Sequence, residues 1–399
     1  MLTLRKAVNI WLVGGRFPLG FVFLNTHAVL SFIFFSKYTC LSDHGLADRL
    51  IETSIIEPEN SKDVNEVEAE IKQRFTAKIL DTIAQSFQIS ADQLVELDGF
   101  ESFIYSFESQ KKPLILRVSH SLRRSEALIR GEVDWINYLV RGGVHAASVI
   151  PSQRGHLVEA VEDGFGESFL ATVFERVPGK PAWEVGWSYP LYQTLGQTLG
   201  RMHRLTQGYQ PSDPKAERPP WDHPSMLMDV NWLPVGETLI AEKYQQIVEW
   251  CRGLTKDPDE YGLIHFDAHA GNYFVDQKGQ IHLFDFDDCH YSWFSNDIAI
   301  VLFYMVMGAE EPAAFTENFL RQFIHGYQRE NRFKADWLAQ IPYFLKMREI
   351  DLYGVIHRSF DVERLDDPWC IHYMKNRKQK IEHDIPYIDL DFKSLADIF

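Results

Sequence analysis

Acidic, histidine and asparagine side chains are concentrated in residues 262–288, GLIHFDAHAGNYFVDQKGQIHLFDFDD, a stretch that otherwise has the pattern of β-strands. Ionisable groups buried without a partner are costly, so this concentration indicates chemistry. A carboxylate such as Asp267 can accept a proton from an attacking hydroxyl group. Asn272 and Asp285 offer the hard oxygen ligands that Mg²⁺ prefers, with water and substrate phosphates in its remaining positions. These residue types are therefore suited to metal-assisted phosphoryl transfer.

A β-hairpin is predicted to bring the two candidate metal ligands together. The sequence DQKG at 276–279 is a turn signal between YFV and QIHLF, which have the alternating pattern of strands. Asn272 leaves one outer end of this hairpin and Asp285 enters the other. Asp267 lies on the loop just before Asn272, so all three side chains are expected at one end of the hairpin.

The spacing of these residues resembles a known arrangement. The chain reads H-x-D-x-H-x-G-N over 265–272, followed by D-F at 285–286. This is similar to the catalytic loop and metal-binding motif of eukaryotic-type kinases. The histidine at 269 makes it most similar to the aminoglycoside phosphotransferase and choline kinase-like family, over roughly residues 66–370.

The resemblance implies a fold and a reaction. The fold is expected to be α+β and bilobal, similar to that of protein kinases, with a small β-rich N-lobe and a large helical C-lobe. The implied activity is transfer of the γ-phosphoryl group of ATP, with Mg²⁺, to a hydroxyl group. The partners implied are a nucleotide and a small-molecule acceptor such as an amino sugar, an amino alcohol or a homoserine-like compound.

The resemblance also implies a role for each matching residue of the loop. Asp267 is expected to be the catalytic base, and Asn272 and Asp285 the ligands of Mg²⁺. His265 is expected to brace the catalytic loop, to which His269 also belongs.

The loop departs from the family pattern at four positions. Phe266 stands where glycine is common, Ala268 where a larger aliphatic residue is usual, and Ala270 where proline is usual. Asp287 occupies the glycine position of D-F-G, and two interpretations of it remain open. In one interpretation Asp287 contacts a second metal ion, and in the other it forms hydrogen bonds within the loop.

Two charged residues of the first lobe match the family's nucleotide-binding pair. In LILRVSH, Arg117 replaces the lysine expected on the third strand. Arginine keeps the charge, but the two side chains are not interchangeable. In GEVDW, Glu132 matches the helix glutamate that pairs with that base. The alternative for Glu132 is a solvated helix charge.

Two further segments and one aspartate resemble parts of the family's site. DGFESFIY at 98–105 lies where the phosphate-covering loop belongs, with Gly99 as its single glycine. Asp297 resembles the aspartate that braces the catalytic loop, and a helix N-cap is the alternative. TVFERVPG at 172–179 resembles the inter-lobe hinge, in which the residues expected to contact adenine are Phe174, Glu175 and Val177.

Hydrophobic periodicity predicts the elements that position these residues. Apolar residues recur every three or four positions from Val64 to Phe87 and predict one helical stripe. The next segments predict an antiparallel meander (94–120), a helix ending at a glycine pair (124–143) and further strands (155–181). A helix is then predicted to begin near Pro190, with Gly196 and Gly200 beside its apolar stripe. A buried helix is predicted at 297–308.

These elements predict three regions. Residues 1–60 form a hydrophobic N-terminal extension and an acidic linker outside the fold. Residues 61–177 form the N-lobe, with a nucleotide-binding sheet and a helix. Residues 178–399 form the C-lobe, with the catalytic loop, the metal site and the acceptor site.

Composition excludes several classes of function. The formal charge of −16 argues against a nucleic-acid partner, because phosphate recognition needs a basic face. The four cysteines are far apart, which excludes the usual zinc spacings and indicates a reducing, cytoplasmic location. Residues 17–36 run for 20 positions without Lys, Arg, Asp or Glu. That length would span a membrane, so an anchor is the alternative to an extension outside the fold. Nothing in the sequence indicates the oligomeric state.

Three other functions compete with a small-molecule kinase. A dinuclear metal hydrolase is suggested by DAH at 267–269 and nearby histidines, although no second matching motif is present. A non-catalytic pseudokinase is suggested by Arg117 alone. A Ser/Thr protein kinase is disfavoured by His269 and by the lack of an A-P-E motif. For the acceptor cleft, the candidates are aromatic residues (Trp293, Tyr304, Tyr343 and Tyr353) and an acidic turn at 361–367, either of which has a purely structural alternative.

Overall fold

The part of the chain described by the computed structural model is residues 64–398, apart from 98, 100, 101 and 229. The predicted extension at 1–60, with its apolar run at 17–36, lies outside these residues. None of the helices that are described is long and apolar enough to cross a membrane.

The first lobe is built on an antiparallel sheet. Its order is β1-β2-β3-β6-β4, and β5 pairs with the first half of β6. Alternation along β3 separates two faces: Leu116 and Val118 enter the apolar core, and Arg117 between them faces the opposite side. The strands are β1 (Val95–Leu97), β2 (Phe103–Ser109), β3 (Lys112–His120), β4 (Val149–Ile150), β5 (Glu159–Glu162) and β6 (Ser168–Glu175).

Two helices cover the apolar face of this sheet. The sequence predicted one helical stripe over this region, and the structure divides that stripe between two helices. The structure has α1 (Val64–Arg74) and α2 (Ala77–Ser86), with Thr76 between them. The Thr76 hydroxyl accepts a hydrogen bond from the Ile79 amide at 3.4 Å, which starts a new helix. The apolar spacing continues across the break because both helices pack on the same core.

The helix α3 (Glu126–Arg141) carries Glu132 behind the sheet. Its N-cap is Ser125, whose hydroxyl accepts from the Leu128 amide at 3.3 Å, and it ends at the predicted glycine pair. Trp135 of this helix is fully buried. The tight packing of α3 continues at Gly131, where a Cβ atom would lie 2.0 Å from the Ala216 carbonyl oxygen.

The second lobe is mainly helical, as predicted. Its helices are α4 (Ala182–Val185), α5 (Tyr189–Thr206), α6 (Thr238–Arg252), α7 (Phe294–Met305), α8 (Pro312–Tyr327), α9 (Trp337–Ser359), α10 (Pro368–Met374) and α11 (Arg377–Glu382). Short 3₁₀ turns are Ala91–Gln93, Pro214–Ala216, Val230–Trp232 and Phe392–Ile398. Pro190 lies in the first turn of α5, and α7 is buried along most of its length.

Close contact between α5 and α8 depends on glycine. A Cβ atom on Gly196 of α5 would lie 1.9 Å from the Phe323 carbonyl oxygen of α8. A Cβ on Gly326 of α8 would lie 1.9 Å from the Gln193 carbonyl oxygen of α5. The two backbones therefore approach to a distance that other residues would prevent, as the glycines in the sequence predicted for α5.

Short strands within this helical lobe position the site. The predicted hairpin is present as β9 (Tyr273–Val275) and β10 (Ile281–Leu283), with β7 (Lys180–Pro181) beside β9. A second antiparallel pair joins β8 (Tyr261–Ile264) to β11 (His290–Trp293). The catalytic-loop region follows β8, and the segment 284–289 connects β10 to β11. The architecture is α+β with a β-rich first lobe and a helical second lobe.

Candidate active site

The hairpin brings Asn272 next to Asp285. Tyr273 pairs with Leu283, and the Asn272 carbonyl oxygen accepts from the Phe284 amide at 3.0 Å. The side-chain Nδ2 of Asn272 donates to Asp267 twice, to its carbonyl oxygen at 2.9 Å and to Oδ2 at 2.7 Å. The amide is thereby oriented by its NH₂ group, and its Oδ1 atom is left as the group available to a metal ion.

Histidines fix the loop that carries Asp267. His265 is fully buried; its Nε2 donates to the Phe284 carbonyl oxygen at 3.2 Å and its Nδ1 accepts from the Asp267 amide at 3.3 Å. Burial lowers the pKa of His265, so it acts as a neutral brace. His269 Nδ1 accepts from the Gly271 amide at 2.8 Å, and its Nε2 lies 3.3 Å from Asp267 Oδ2.

Asp297 braces the same loop from α7. Its Oδ1 accepts from the Phe266 amide at 2.8 Å, and its Oδ2 accepts from the His265 amide at 3.2 Å and from His203 Nε2 at 3.0 Å. The alternative of a helix N-cap is wrong, because α7 begins at Phe294 and Trp293 is its N-cap residue. Burial alone would raise the pKa of Asp297, but the His203 hydrogen bond and charge lower it.

The acids after β10 form a cluster suited to a cation. Burial, followed by the charge of Asp287, raises the pKa of Asp285 well above its ordinary value. Asp285 also has a left-handed backbone, with φ of 63°, which is uncommon outside glycine. The Oδ1 atom of Asp287 is buried without a hydrogen-bond donor among the described residues. These hard oxygens, with Oδ1 of Asn272, fit Mg²⁺ or a similar cation.

The hydrolase alternative finds no support in this geometry. Within the described ranges, no group of three or more His, Cys, Asp or Glu side chains could hold a metal ion by itself. A cation at Asn272 and Asp285 would need oxygen ligands from water or substrate. That requirement is typical of Mg²⁺ sites in phosphotransferases.

Arg117 and Glu132 form a bidentate ion pair between β3 and α3. Nη1 and Nη2 of Arg117 donate to the two Glu132 oxygens at 2.9 and 2.6 Å. The guanidinium also lies over the Phe174 ring, 5.0 Å from its centroid. Burial would lower the pKa of Arg117, but Glu132 and Asp287 raise it above its ordinary value. Glu132 is thus a buried partner of Arg117 and not a solvated charge.

Asp287 is held by arginines from the first lobe. Arg124, just before α3, donates to Asp287 Oδ2 at 2.6 Å and to Asp288 Oδ1 at 3.0 Å. Arg117 Nη1 lies 3.8 Å from Asp287 Oδ1. Although burial would raise the pKa of Asp287, Arg124 and then Arg117 hold it below its ordinary value. Contact of Asp287 with a second metal ion stays a prediction.

Arg218 ties the segment 284–289 to α3. Its three nitrogens donate to three backbone carbonyl oxygens: Nε to Cys289 at 2.7 Å, Nη2 to Asp287 at 2.6 Å and Nη1 to Leu128 at 3.0 Å. Arg218 itself is buried. We refer to this arrangement as the Arg218 clamp.

Sequence reasoning missed Arg348, which contacts the candidate base directly. Nη2 of Arg348, on α9, donates to Asp267 Oδ1 at 3.0 Å. Arg348 lies 81 positions after Asp267, and no motif marks it. Arg124 and Arg218 were missed for the same reason, because their partners are distant in sequence and are brought close only by the packing of the lobes.

The predicted hinge and phosphate loop are placed only in part. Phe174 is buried at the end of β6, and the Glu175 amide donates to the Ser148 carbonyl oxygen at 2.8 Å. Val177 follows β6 and is partly buried. Gly99 is exposed between β1 and β2, and its neighbours at 98, 100 and 101 lie outside the described residues. Adenine and phosphate contacts at these positions stay predictions.

Of the candidate acceptor residues, the structure brings one to the loop. The ring of Tyr304 lies 5.1 Å from that of His269. Trp293 is core, packed on Trp221, while Tyr343 stacks on Trp250. The remaining candidates have other surroundings: the Tyr353 hydroxyl donates to Glu237, Asp361, Glu363 and Asp366 lie in an exposed turn, and Asp367 is the N-cap of α10.

The β-rich first lobe and the helical second lobe together define a kinase-like fold. The residues between the lobes form a site suited to phosphoryl transfer. Comparison with known proteins makes the class specific. Residues 95–338 match the sequence profile of the phosphotransferase enzyme family, described as APH. The chain belongs to this family, and it is a small-molecule phosphotransferase, a kinase with a hydroxyl group as acceptor.

Two relatives and one fold neighbour support this placement. An amicoumacin kinase of Bacillus subtilis (strain 168) is 36% identical over 336 residues, which cover 83% of this chain and 99% of that protein. A solved amicoumacin kinase in complex with AMP-PNP, Ca²⁺ and Ami is 35% identical, with a TM-score of 0.78 over 82% of this chain and 99% of that one. A microcompartment-associated aminopropanol kinase, 20% identical with a TM-score of 0.59 over 80% of this chain and 95% of that one, shares the fold.

Proposed function

We propose that this protein transfers the γ-phosphoryl group of ATP to a hydroxyl group of a small molecule, with Asp267 as the base and a divalent cation at Asn272 and Asp285. The observation that carries the proposal is the arrangement at the hairpin end. Asn272 donates to Asp267 and keeps Oδ1 for a metal, and Asp285 lies two residues after the paired strand, next to Phe284, whose amide donates to the Asn272 carbonyl oxygen. Base and metal ligands are thus held together in one place.

The proposed step is an in-line displacement at phosphorus. The acceptor oxygen forms a bond to the γ-phosphorus, and the bond from that phosphorus to the bridging oxygen of ADP breaks. The hydroxyl proton passes to a free lone pair of the Asp267 carboxylate. ADP leaves with the electrons of the broken bond. Positioning and charge neutralisation supply most of the rate in such reactions, so the rigid loop around Asp267 is the main contribution of the chain.

The cofactors are ATP and a divalent cation, for which Mg²⁺ is the natural choice. When bound, the cation neutralises phosphate charge. Arg117, locked to Glu132, is available to contact the nucleotide phosphates from the first lobe. Support comes from the related kinase, which binds the ATP analogue AMP-PNP together with Ca²⁺.

For the acceptor, the first candidate is amicoumacin. Two amicoumacin kinases match this chain at 35 and 36% identity over more than four-fifths of its length. Amino sugars and amino alcohols are the next candidates. A protein acceptor is disfavoured, because the relatives named above act on small molecules.

The experiment is a phosphorylation assay on the full chain. Wild type, Asp267→Asn and Asp276→Asn are incubated with ATP, Mg²⁺ and each acceptor, and ADP release and phosphoryl gain on the acceptor are measured together. We expect Asp267→Asn to lower kcat by about 10²- to 10⁴-fold, the usual contribution of a general base. Asp276→Asn is the matched control, because Asp276 lies in the hairpin turn, away from the paired ends. ATP binding without transfer, or full activity of Asp267→Asn, would contradict the proposal.

A further inference from the structure

Among the described residues, Arg348 is a buried cation that contacts Asp267, and the mechanism above does not use it. We propose that it is a positioning residue of phosphoryl transfer, which holds the Asp267 carboxylate in the orientation that receives the acceptor proton. This inference rests on the proposed function of Asp267 as base.

The carboxylate of Asp267 is fixed at both of its oxygens. Oδ1 accepts from Arg348 Nη2 at 3.0 Å, and Oδ2 accepts from Asn272 Nδ2 at 2.7 Å. Asp267 is 1% exposed and Arg348 5% exposed. Two donors from different elements prevent rotation of the carboxylate. Oδ1 keeps a second lone pair for a proton, whereas Oδ2 also lies 3.3 Å from His269 Nε2.

Arg348 is itself immobilised before any substrate binds. Its guanidinium lies between two rings, 5.2 Å from the centroid of Phe266 and 5.6 Å from that of Tyr304. Nε donates to the Tyr304 hydroxyl at 3.1 Å. Phe266 directly precedes Asp267 and has a left-handed φ of 67°, so the same arginine packs on the side chain of the residue just before the base. The cation therefore orients the base by contact on two consecutive residues.

The charges of the site are divided among three arginines. Arg117 pairs with Glu132, and Arg124 pairs with the acids that follow Asp285. Arg348 is the arginine that forms an ion pair with Asp267. A buried carboxylate that loses its cation is strongly disfavoured, so the base depends on Arg348 in a way that the metal-binding acids do not.

A second buried arginine provides a matched control. Arg377 donates to Glu349 Oε1 at 2.6 Å and lies over the Tyr373 ring, 4.2 Å from its centroid. It resembles Arg348 in burial, ion pairing and aromatic packing, and it belongs to the same lobe. No contact joins it to the loop at 265–272 in the part of the chain that is described. A purely structural role would give both arginines the same behaviour.

The experiment compares Arg348→Lys, Arg348→Ala, Arg377→Lys and Arg377→Ala in the full chain, with kcat, the KM values for ATP and acceptor, and Tm. We expect Arg348→Ala to lower kcat about 10²-fold, with the KM for ATP changed less than about 3-fold, because misorientation acts on the chemical step. Arg348→Lys should recover about 10-fold of that loss, since it restores the charge without the planar fork.

Guanidinium or methylguanidinium added to Arg348→Ala should restore part of kcat. The Arg377 variants should lose Tm to a similar extent and keep kcat.

Opposite results separate the two proposals. If wild type transfers phosphate and Asp267→Asn does not, but Arg348→Ala keeps kcat or the Arg377 variants lose as much of it, Arg348 is merely structural. If added guanidinium restores none of the lost kcat in folded Arg348→Ala, positioning by this cation is also wrong. If Asp267→Asn retains activity, the proposed function fails first. Arg348→Lys keeps the test valid where the alanine variant does not fold.

Discussion

Arg117 occupies the position where the family resemblance predicts lysine, and its geometry gives a reason for the replacement. A planar fork donates two parallel hydrogen bonds to Glu132, while the same cation packs on Phe174. A lysine ammonium is a single point charge and cannot reproduce that arrangement. We infer that the pair has adapted to arginine.

The Arg117→Lys variant tests this adaptation. We expect it to fold and to lose about 10-fold in kcat/KM for ATP, because one of the two hydrogen bonds and the ring packing are lost. Initial rates at varied ATP concentration measure this. Lys112→Arg on the same strand is the control, since Lys112 is exposed and its contact with Glu175 is long, at 3.4 Å. Wild-type kinetics in Arg117→Lys would show that the fork has no special role.

Removing the charge altogether tests the ion pair itself. Arg117→Met leaves Glu132 buried without a cation, and we expect the free energy of unfolding to fall by about 3 to 5 kcal/mol. Urea denaturation of wild type and variant measures the difference. The double variant Arg117→Met with Glu132→Leu should regain most of the loss. A drop below about 1 kcal/mol in the single variant would contradict the claim that Glu132 depends on Arg117.

The elements that the sequence could predict are those with local signals along the chain. The hairpin, the meander, α3 and the buried α7 followed from turn residues and apolar periodicity. The division between α1 and α2 did not, because one apolar face crosses the Thr76 cap without interruption. Within the site, Asp267, Asn272 and Asp285 were marked by spacing along the chain. The other site residues, Arg348, Arg124 and Arg218, are distant in sequence from their partners. Only tertiary packing brings each arginine into contact with its partner.

The contact of α5 with α8 is expected to depend on Gly196. A Cβ atom there would meet the Phe323 carbonyl oxygen at 1.9 Å, and two packed helices must separate to admit it. We expect Gly196→Ala to lower the free energy of unfolding by about 2 to 3 kcal/mol. Thermal or urea unfolding measures this. Gly208→Ala is the control, because its nearest non-local atom would be 3.6 Å away. Equal stability of the two variants would contradict the close approach.

Glu330, just after α8, makes the same helix contact sensitive to pH. It accepts from Arg201 Nη2 at 2.5 Å, from Arg204 at 3.0 Å and from Gln197 at 3.1 Å. The Arg201 hydrogen bond is the main cause that lowers the pKa of Glu330 from 4.5 to about 2. A lowered carboxyl pKa stabilises the fold at pH above its unfolded value. That contribution is lost as pH falls from about 4.5 toward 2.

The Glu330→Gln variant isolates this contribution. Above pH 5 it should be less stable than wild type by about 1 to 2 kcal/mol, allowing for solvent screening, and the difference should shrink as pH falls below 4.5. Urea denaturation at several pH values measures it. Glu317→Gln on α8, whose ion pair with Arg321 is exposed, should differ little from wild type at any pH. A difference for Glu330→Gln that grows toward acid pH would contradict this sign.

At the scale of the whole molecule, Arg124 connects the lobes. It stands just before α3 of the first lobe and pairs with Asp287 and Asp288 of the second, beside the proposed metal ligand Asp285. We expect Arg124→Gln to raise the KM for ATP about 10-fold, because the two halves of the nucleotide site are no longer held in register. Steady-state kinetics measure it. Arg130→Gln is the control, since that exposed residue of α3 pairs with Glu126 of its own helix. Equal KM values would show that the lobes are aligned without this pair.

The Arg218 clamp has a consequence for how this enzyme is controlled in the cell. Its nitrogens donate to backbone carbonyl oxygens of both α3 and the segment 284–289, and α3 is packed against Ala216 where Gly131 leaves no gap. An outward swing of α3 would have to break either the Arg218 bond to Leu128 or the two Arg218 bonds to Asp287 and Cys289, together with the Arg117–Glu132 ion pair. We therefore expect no resting form in which Glu132 is withdrawn from Arg117. The rate of phosphoryl transfer would then depend on the concentrations of nucleotide and acceptor and on the amount of protein synthesised.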